Sequence, residues 1–564
     1  MSVAPSVEFR VHPTYYTLAS KVAHALTTEV AAAPASTAFT PHGLHLVDPD
    51  AVASVLEDDY IAGGGGGGAA TYTLYLLNPK VDRPYAYSYD KERRSCPGGV
   101  YVSRQHRYAF YDLSANVTFY GPGPGGKGQV LEHSVPVLSH YRPESLRRAV
   151  LPDLAALVWS GVQHLAWPPL HSGDIGYAGH VAIHIVYMHQ DLLGPVSHVD
   201  KVLLERELRS ALKGIQELEV FEHSLPFGEC AACVAGYSGA LRTRTAEAHE
   251  GGESVTLSQY LDLQALELWD REMRDSVLSD VGVTLAEAAR DGAKVLPVFV
   301  FDVAGTDAVL IGESGRGGVW RQAVALEGGD VIAVRSGQAS VPTFYGCGLK
   351  AVHLDPADLQ RPVMAALLQS GWGVADTALF WSPATGRSWN WLWSLGSTPF
   401  GPLSASMALS FAQRDAMGRN LALAALNASA GHAAAVVAGF AKVGGPGTFV
   451  KAHLDSDQIQ PYNQRIALLL FKLQEASAAL SRLDTPAALG YAASMAHDAA
   501  ALHAIARRAG AGLSIELQCA GAAARRRWWA VPGGAGAIVF GLCVWRALVG
   551  GRGRGGGKRH SHVY

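Results

Sequence analysis

An uncharged apolar run near the end of the chain sets the first limit on what it can fold into. Residues 528–545 read WWAVPGGAGAIVFGLCVW, eighteen positions without a charged side chain, and the apolar character continues past Arg546 to Val549. As a helix rising about 1.5 Å per residue the run spans roughly 27 Å, close to the roughly 30 Å hydrocarbon core of a bilayer. Trp528, Trp529 and Trp545 stand at its two ends, where interfacial belts place indoles. Arg525, Arg526 and Arg527 precede it, and Arg546, Arg552, Arg554, Lys558 and Arg559 follow. That excess of bases after the run favours a cytosolic tail over residues 550–564. The expectation is one transmembrane helix over 526–549, with the lipid bilayer as its partner.

The rest of the composition belongs to a folded body. At about 150 residues per domain, 564 residues make three or four units. Apolar residues are 49% and charged residues only 17%, which excludes an intrinsically disordered chain. With 46 basic against 49 acidic side chains, no general basic field recruits nucleic acid. The opening stretch MSVAPSVEFRVHPTYYTLASKVAHAL carries neither a basic n-region nor an apolar h-region. Read alone, it suggests a tail-anchored protein or an incomplete start. The sequons Asn116-Val-Thr118 and Asn427-Ala-Ser429 lean slightly toward a luminal body, with Asn116 and Asn427 as glycosylation candidates.

Periodicity divides the chain further. Residues 1–62 suggest one or two short helices, and 63–70 hold a six-glycine linker. Residues 71–145 are rich in strand formers, as in TYTLYLL at 71–77. From 146 to 402, helical spacing (145–167, 202–218, 257–290) alternates with strand-like runs (181–187, 296–303, 309–311, 331–334), the pattern of an α/β layer body. From 403 to 524 the spacing is helical, as in Ile466, Leu469, Leu470, Leu473 and Leu480. The fold class is therefore α+β, a mixed α/β body with a C-terminal helical region and one transmembrane helix.

Few residues point to chemistry. Cys230-Ala-Ala-Cys233 has the CxxC spacing. A redox pair needs a helix N-terminus after a strand, and zinc needs two more ligands with no second CxxC at hand. A structural or disulfide-bonded pair is preferred over both. His180, His184 and His189 lie in a β-branched run, and strand spacing of about 3.3 Å per residue holds the first two roughly 13 Å apart, too far to share a metal. Asp455-Ser-Asp457 matches a short cation-holding pattern of sugar-nucleotide transferases and serves equally as a helix cap. Residues 372–393 hold five of the twelve tryptophans; on a strand, Trp389, Trp391 and Trp393 share one face, either as core or as a binding surface.

Several stretches together resemble a known family. They are YTLYLLNPK (72–80), HRYAFYDLSANVTFYGP (106–122), LPDLAALVWSGVQHL (151–165), VLPVFVFD (295–302), QAVAL (322–326), VIAVRS (331–336) and WNWLWSLGSTPFGPLS (389–404). From about residue 70 onward the chain is similar to an uncharacterised plant and green-algal family of single-pass membrane proteins, described as a domain of unknown function. The resemblance implies a secretory signal, a large luminal body, one span near the C-terminus and a short basic cytosolic tail. It brings no catalytic residue. The family's additional region ahead of LLNPK, with its signal, is largely missing from this chain, which favours an incomplete or divergent start.

The resulting expectation is an endomembrane (ER, Golgi or related) protein whose luminal body serves in binding, trafficking or scaffolding. Its partner is an unidentified luminal protein or a glycan. No catalytic residue, cofactor or metal is assigned. The rival is a luminal, glycosyltransferase-like enzyme using Asp455 and Asp457, which the C-terminal position of the anchor disfavours. Deleting residues 528–549 is expected to move the protein from carbonate-washed membranes to the soluble fraction; a truncated chain that still pellets rejects the span.

Overall fold

The structure, a computed structural model, describes residues 15–36, 44–63, 71–78, 87–89, 100–112, 114–115, 178–190, 198–247, 254–285, 293–303, 309–312, 322–337, 341–347, 350–354, 358–374, 408–441, 454 and 456–511. The apolar run at 526–549 and the helix expected at 145–167 lie outside the described residues.

The chain begins with an aromatic-cored unit. Helix α1 (Tyr16–Ala32) buries Leu18, Val22, Leu26 and Val30, an i, i+4 stripe. There follow β1 (Ala35–Ser36), β2 (Leu44–Val47), α2 (Asp50–Ala62), β3 (Thr73–Leu77), β4 (Tyr87–Tyr89), β5 (Val100–Val102) and β6 (Tyr108–Asp112). The strands make two three-stranded sheets, ordered β1–β2–β4 and β3–β6–β5. Tyr87, Tyr89, Tyr108 and Phe110 pack with both helices in one core. At the end of β6 the buried Asp112 accepts hydrogen bonds from the Tyr87 and Tyr89 hydroxyls at 2.7 and 2.8 Å. Its other oxygen accepts from the backbone N–H of Ser114 and Ala115. Those four donors replace the water that a buried carboxylate loses.

The central layers follow: β7 (His180–His189), α3 (Lys201–Ala211), β8 (Glu217–Pro226), α4 (Ala231–Ala240), β9 (Leu241–Glu247), β10 (Ser254–Asp262), α5 (Leu263–Asp280), β11 (Ala293–Val303), β12 (Val309–Gly312), β13 (Ala323–Ala325) and β14 (Val331–Ser336). Then come β15 (Val341–Cys347), β16 (Lys350–Leu354), α6 (Gln360–Trp372), α7 (Phe411–Ala441), α8 (Ser456–Ser481) and α9 (Thr485–Ala511). The main sheet runs β13–β14–β11–β7–β8, with β14, β11, β7 and β8 parallel and β13 antiparallel. One face, with Ile183, Ile185, Val298, Val300 and Ala333, packs against α3, α6, α7 and α9. The other, with Val186, Met188, Phe299, Phe301 and Val334, packs under α4 and α5. Burial on both faces explains why β11 reads as a continuous apolar run rather than an alternating one.

Two expected helices are shorter than their spacing suggests. The segment 202–218 ends its helix at Ala211, because Glu217 already begins β8, an edge strand that alternates buried Leu218 and Val220 with exposed Glu217 and Glu219. In 257–290, residues up to Asp262 belong to β10 and the helix starts at Leu263.

Helix α7 ties the parts together. Its residues Phe411–Ala438 are long and apolar enough to cross a membrane. Its N-terminal half nevertheless lies in the sheet core through Ala416, Met417, Leu421 and Ala422, as a soluble domain's central helix does. Asp415 of this helix accepts from Arg107 Nε at 2.7 Å and from the Tyr72 hydroxyl at 3.1 Å, which fastens the aromatic unit to the layers. Between α8 and α9, the buried Asp498 receives Arg465 at 2.6 Å and Lys472 at 2.5 Å.

The contact of α4 with α5 is the tightest place to test. A Cβ on Gly236 would stand 2.6 Å from Trp269 Nε1. The indole cannot retreat: its N–H donates to Ala232 O at 2.8 Å, and Phe299 and Phe301 pack on it. Gly236→Ala is expected to destabilise by about 1–3 kcal/mol, the usual cost of overpacking. Gly239→Ala, which meets open space on the same helix, should be neutral or stabilising by up to about 1 kcal/mol. Thermal unfolding of both variants checks the contrast; equal midpoints would reject this packing.

Candidate functional site

Parallel register builds a polar row at the carboxyl edge of the main sheet. His189 of β7 pairs with Asp302 of β11, which pairs with Arg335 of β14. Alternation places all three on the face that carries Ile185, Val300 and Ala333 one or two steps earlier. The apolar core of that face therefore stops at its last row, and ionisable groups take over. From β8 the same face presents Glu222 and Ser224, both exposed.

The contacts are short and specific. Ser224 Oγ and His189 Nε2 are hydrogen-bonded at 2.7 Å. The Tyr187 hydroxyl donates to Glu222 Oε1 at 3.1 Å. His198, on the segment leading into α3, places Nε2 2.6 Å from Asp302 Oδ2 and meets Tyr187 edge-on. Arg335 Nη1 donates to Asp302 Oδ1 at 2.9 Å. Burial alone would raise the Asp302 pKa, but the hydrogen bonds and charges of His198 and Arg335 outweigh it and hold the carboxyl below its usual range. Two helix starts converge over this edge: Asp200 caps α3 by accepting from Leu203 N–H at 3.0 Å, and Gln360 of α6 accepts from Asp200 N–H.

His189 is the unusual member. It is 5% exposed, and among the described residues its Nδ1 has no hydrogen-bond partner. A serine beside a histidine invites comparison with nucleophilic catalysis, where a third group orients the base and stabilises the imidazolium. Here the carboxylate that register sets beside His189 is committed to His198 and Arg335. The arrangement suits binding: a hydroxyl, a phenol, a carboxylate and an imidazole lie together where open parallel sheets receive ligands.

Cys230 and Cys233 lie at the same edge on the opposite face. They form a disulfide with Cα atoms 5.3 Å apart, and Cys230 caps α4 by accepting from Cys233 N–H at 3.0 Å. The pair does sit at a helix N-terminus after a strand, but both residues are buried beside Leu225, Leu266 and Trp269, which closes them to thiol exchange. His180 and His184 lie on strand β7, where His180 approaches Glu219 at 3.5 Å and His184 meets His223 of β8. Asn427 is exposed on α7, while the sequon's Ser429 is buried and donates to Ala492 O at 3.0 Å. Asn116, Trp389, Trp391, Trp393 and Asp455 lie outside the described residues; Asp457 is in the first turn of α8. Among the described residues no three metal-ligating side chains converge.

Ser224, Asp302 and Arg335 escaped the sequence reading, although Asp302 ends the apolar run VLPVFVFD, a visible break in a buried strand. A domain of unknown function, DUF7906, covers residues 1–168. It spans the aromatic-cored unit and stops short of the sheet edge. A comparison with curated proteins finds no match.

Asp302→Asn keeps the shape but leaves Arg335 and His198 facing a neutral amide. The expected loss at pH 7 is about 3–5 kcal/mol, the range for breaking a buried pair. Because the folded pKa lies below the unfolded 3.8, the stabilisation is complete above pH 3.8 and is lost as pH falls through the folded value. Unfolding midpoints of wild type and variant should therefore converge in acid; a constant gap down to low pH would contradict this role for the carboxylate.

Proposed function

We propose that this chain is a single-pass membrane protein of the secretory pathway whose luminal body binds a polar, hydroxyl-bearing ligand at the carboxyl edge of its main sheet, without transforming it. The observation that carries the binding claim is the buried His189 Nδ1, without a hydrogen-bond partner among the described residues, beside an exposed Ser224. Buried polar atoms left without partners are rare in native proteins, and a ligand hydroxyl supplies what this one lacks. The neutralised Asp302 limits the net charge the site offers, and exposed Glu222 adds an acceptor. Such a mixture of donors and acceptors suits a glycan, in line with the luminal partner expected from the sequence.

Two further features support the compartment and the anchorage. A disulfide buried in the core persists in an oxidising lumen and is rare in the cytosol. The anchor is assigned to the segment 526–549, built on the uncharged run 528–545, rather than to α7, whose first half the sheet already covers. A second reading, ester hydrolysis by Ser224, draws on the same 2.7 Å contact with His189.

One experiment separates the readings. The full chain, solubilised in detergent, is screened on a glycan array and exposed to a fluorophosphonate that labels activated serines. Binding that falls at least tenfold in His189→Ala, with no labelling of Ser224, is the expected result. Labelling abolished by Ser224→Ala would move the protein to the hydrolases, and glycan binding indifferent to His189 would sink the proposal.

A further inference from the structure

The opposite face of the same two strands carries a different arrangement. On β7 it presents His180, Ala182 and His184, and on β8 Glu217, Glu219, Phe221 and His223; beyond them Val186, Met188 and Leu225 disappear under α4 and α5. The covered half is apolar and the amino-terminal half is not. Where the two halves meet, His184 Nδ1 and His223 Nε2 stand 2.9 Å apart, one step off register on neighbouring parallel strands, with ring planes inclined by 14°. Phe221, directly opposite His184, lies against its ring at 4.9 Å and 18° and holds it in place.

We infer that His184 and His223 form a two-histidine seat for a borderline divalent transition ion, zinc or copper(II), with water completing its coordination. The two nitrogens face each other from neighbouring strands across one hydrogen bond, so a tilt of the two rings is enough to turn both toward an ion and little conformational freedom is lost on binding. Zinc–nitrogen bonds of about 2.0–2.1 Å at a tetrahedral angle set two ligand nitrogens about 3.3 Å apart, a few tenths of an ångström wider than the gap between these two rings. Imidazole is the ligand type that zinc and copper prefer, whereas calcium and magnesium require oxygen, which this pair does not offer.

The two rings share one N–H···N bond. Metal entry replaces the bridging proton, which passes to the other nitrogen of its own ring. No net proton is released, so acid competes with the ion only when it protonates the rings. This seat faces away from His189 and does not depend on the ligand proposed for the other face.

The test uses the full chain in detergent, stripped with a chelator and titrated with zinc against a chromophoric competitor at pH 7. A chain with 22 histidines can hold zinc elsewhere, so the variants decide. His184→Gln and His223→Gln should each weaken one zinc equivalent at least tenfold, while His180→Gln leaves it unchanged. Should either variant misfold, X-ray absorption of wild type loaded with one zinc equivalent must show two imidazole nitrogens and oxygen neighbours. A sulfur-rich or four-histidine shell, or an affinity equal in all variants, overturns the site.

Discussion

Parallel pairing of β7 with β11 runs unbroken from His180 opposite Ala293 to His189 opposite Asp302, and most of the molecule is arranged around it. A slip of one residue would exchange the two faces of a strand and drive Asp302 into the Phe299 and Phe301 core. The register is held from both sides because each face is fully packed along the middle of the sheet. With the parallel pairing of β7 and β8 on its other side, this alignment sets both the polar row at the carboxyl edge and the imidazole pair in mid-sheet. Neither can be shifted without dismantling the core between them.

Helices packed on one face extend that dependence outward. Trp372, at the end of α6, is fully buried, donates from its indole to Gln216 Oε1 at 2.8 Å, and offers its carbonyl to Asn420 of α7. Gln216 in turn immediately precedes β8. One residue, through its indole and its carbonyl, thus connects the sheet edge, α6 and α7, while Asp415 connects α7 to the aromatic unit. Helices α7 and α9 are bound to the layers through Met417, Leu421, Ala488 and Leu489, which lie in the same apolar core as the sheet.

How much of this could be read from the residues varies with the kind of signal. Strands β7, β11 and β14 announce themselves as apolar β-branched runs, because two buried faces leave no room for polar residues. Strand β8 does not: it lies at the sheet edge, its outward residues are charged, and ELEVFEHS carries a mixed signal that helical spacing also fits. The site suffers from the same limitation. His189 with Ser224, or His184 with His223, are neighbours only across strands, and no spacing along the chain reveals a cross-strand pair. Spacing along β7 correctly keeps His180 and His184 apart on one strand and says nothing of the ring supplied by the next.

The disulfide beneath α4 has a bearing on how this protein can change over time. Its loop contains so few residues that closing it restricts the unfolded chain by only about 2 kcal/mol on an entropic view. Two small apolar residues in place of both cysteines leave the helix cap without its sulfur acceptor but the surroundings packed. Loss of one cysteine alone leaves an unpaired thiol wedged among Leu225, Leu266 and Trp269, without the bond that its surroundings are packed around. The two positions are therefore bound to be inherited, or abandoned, together.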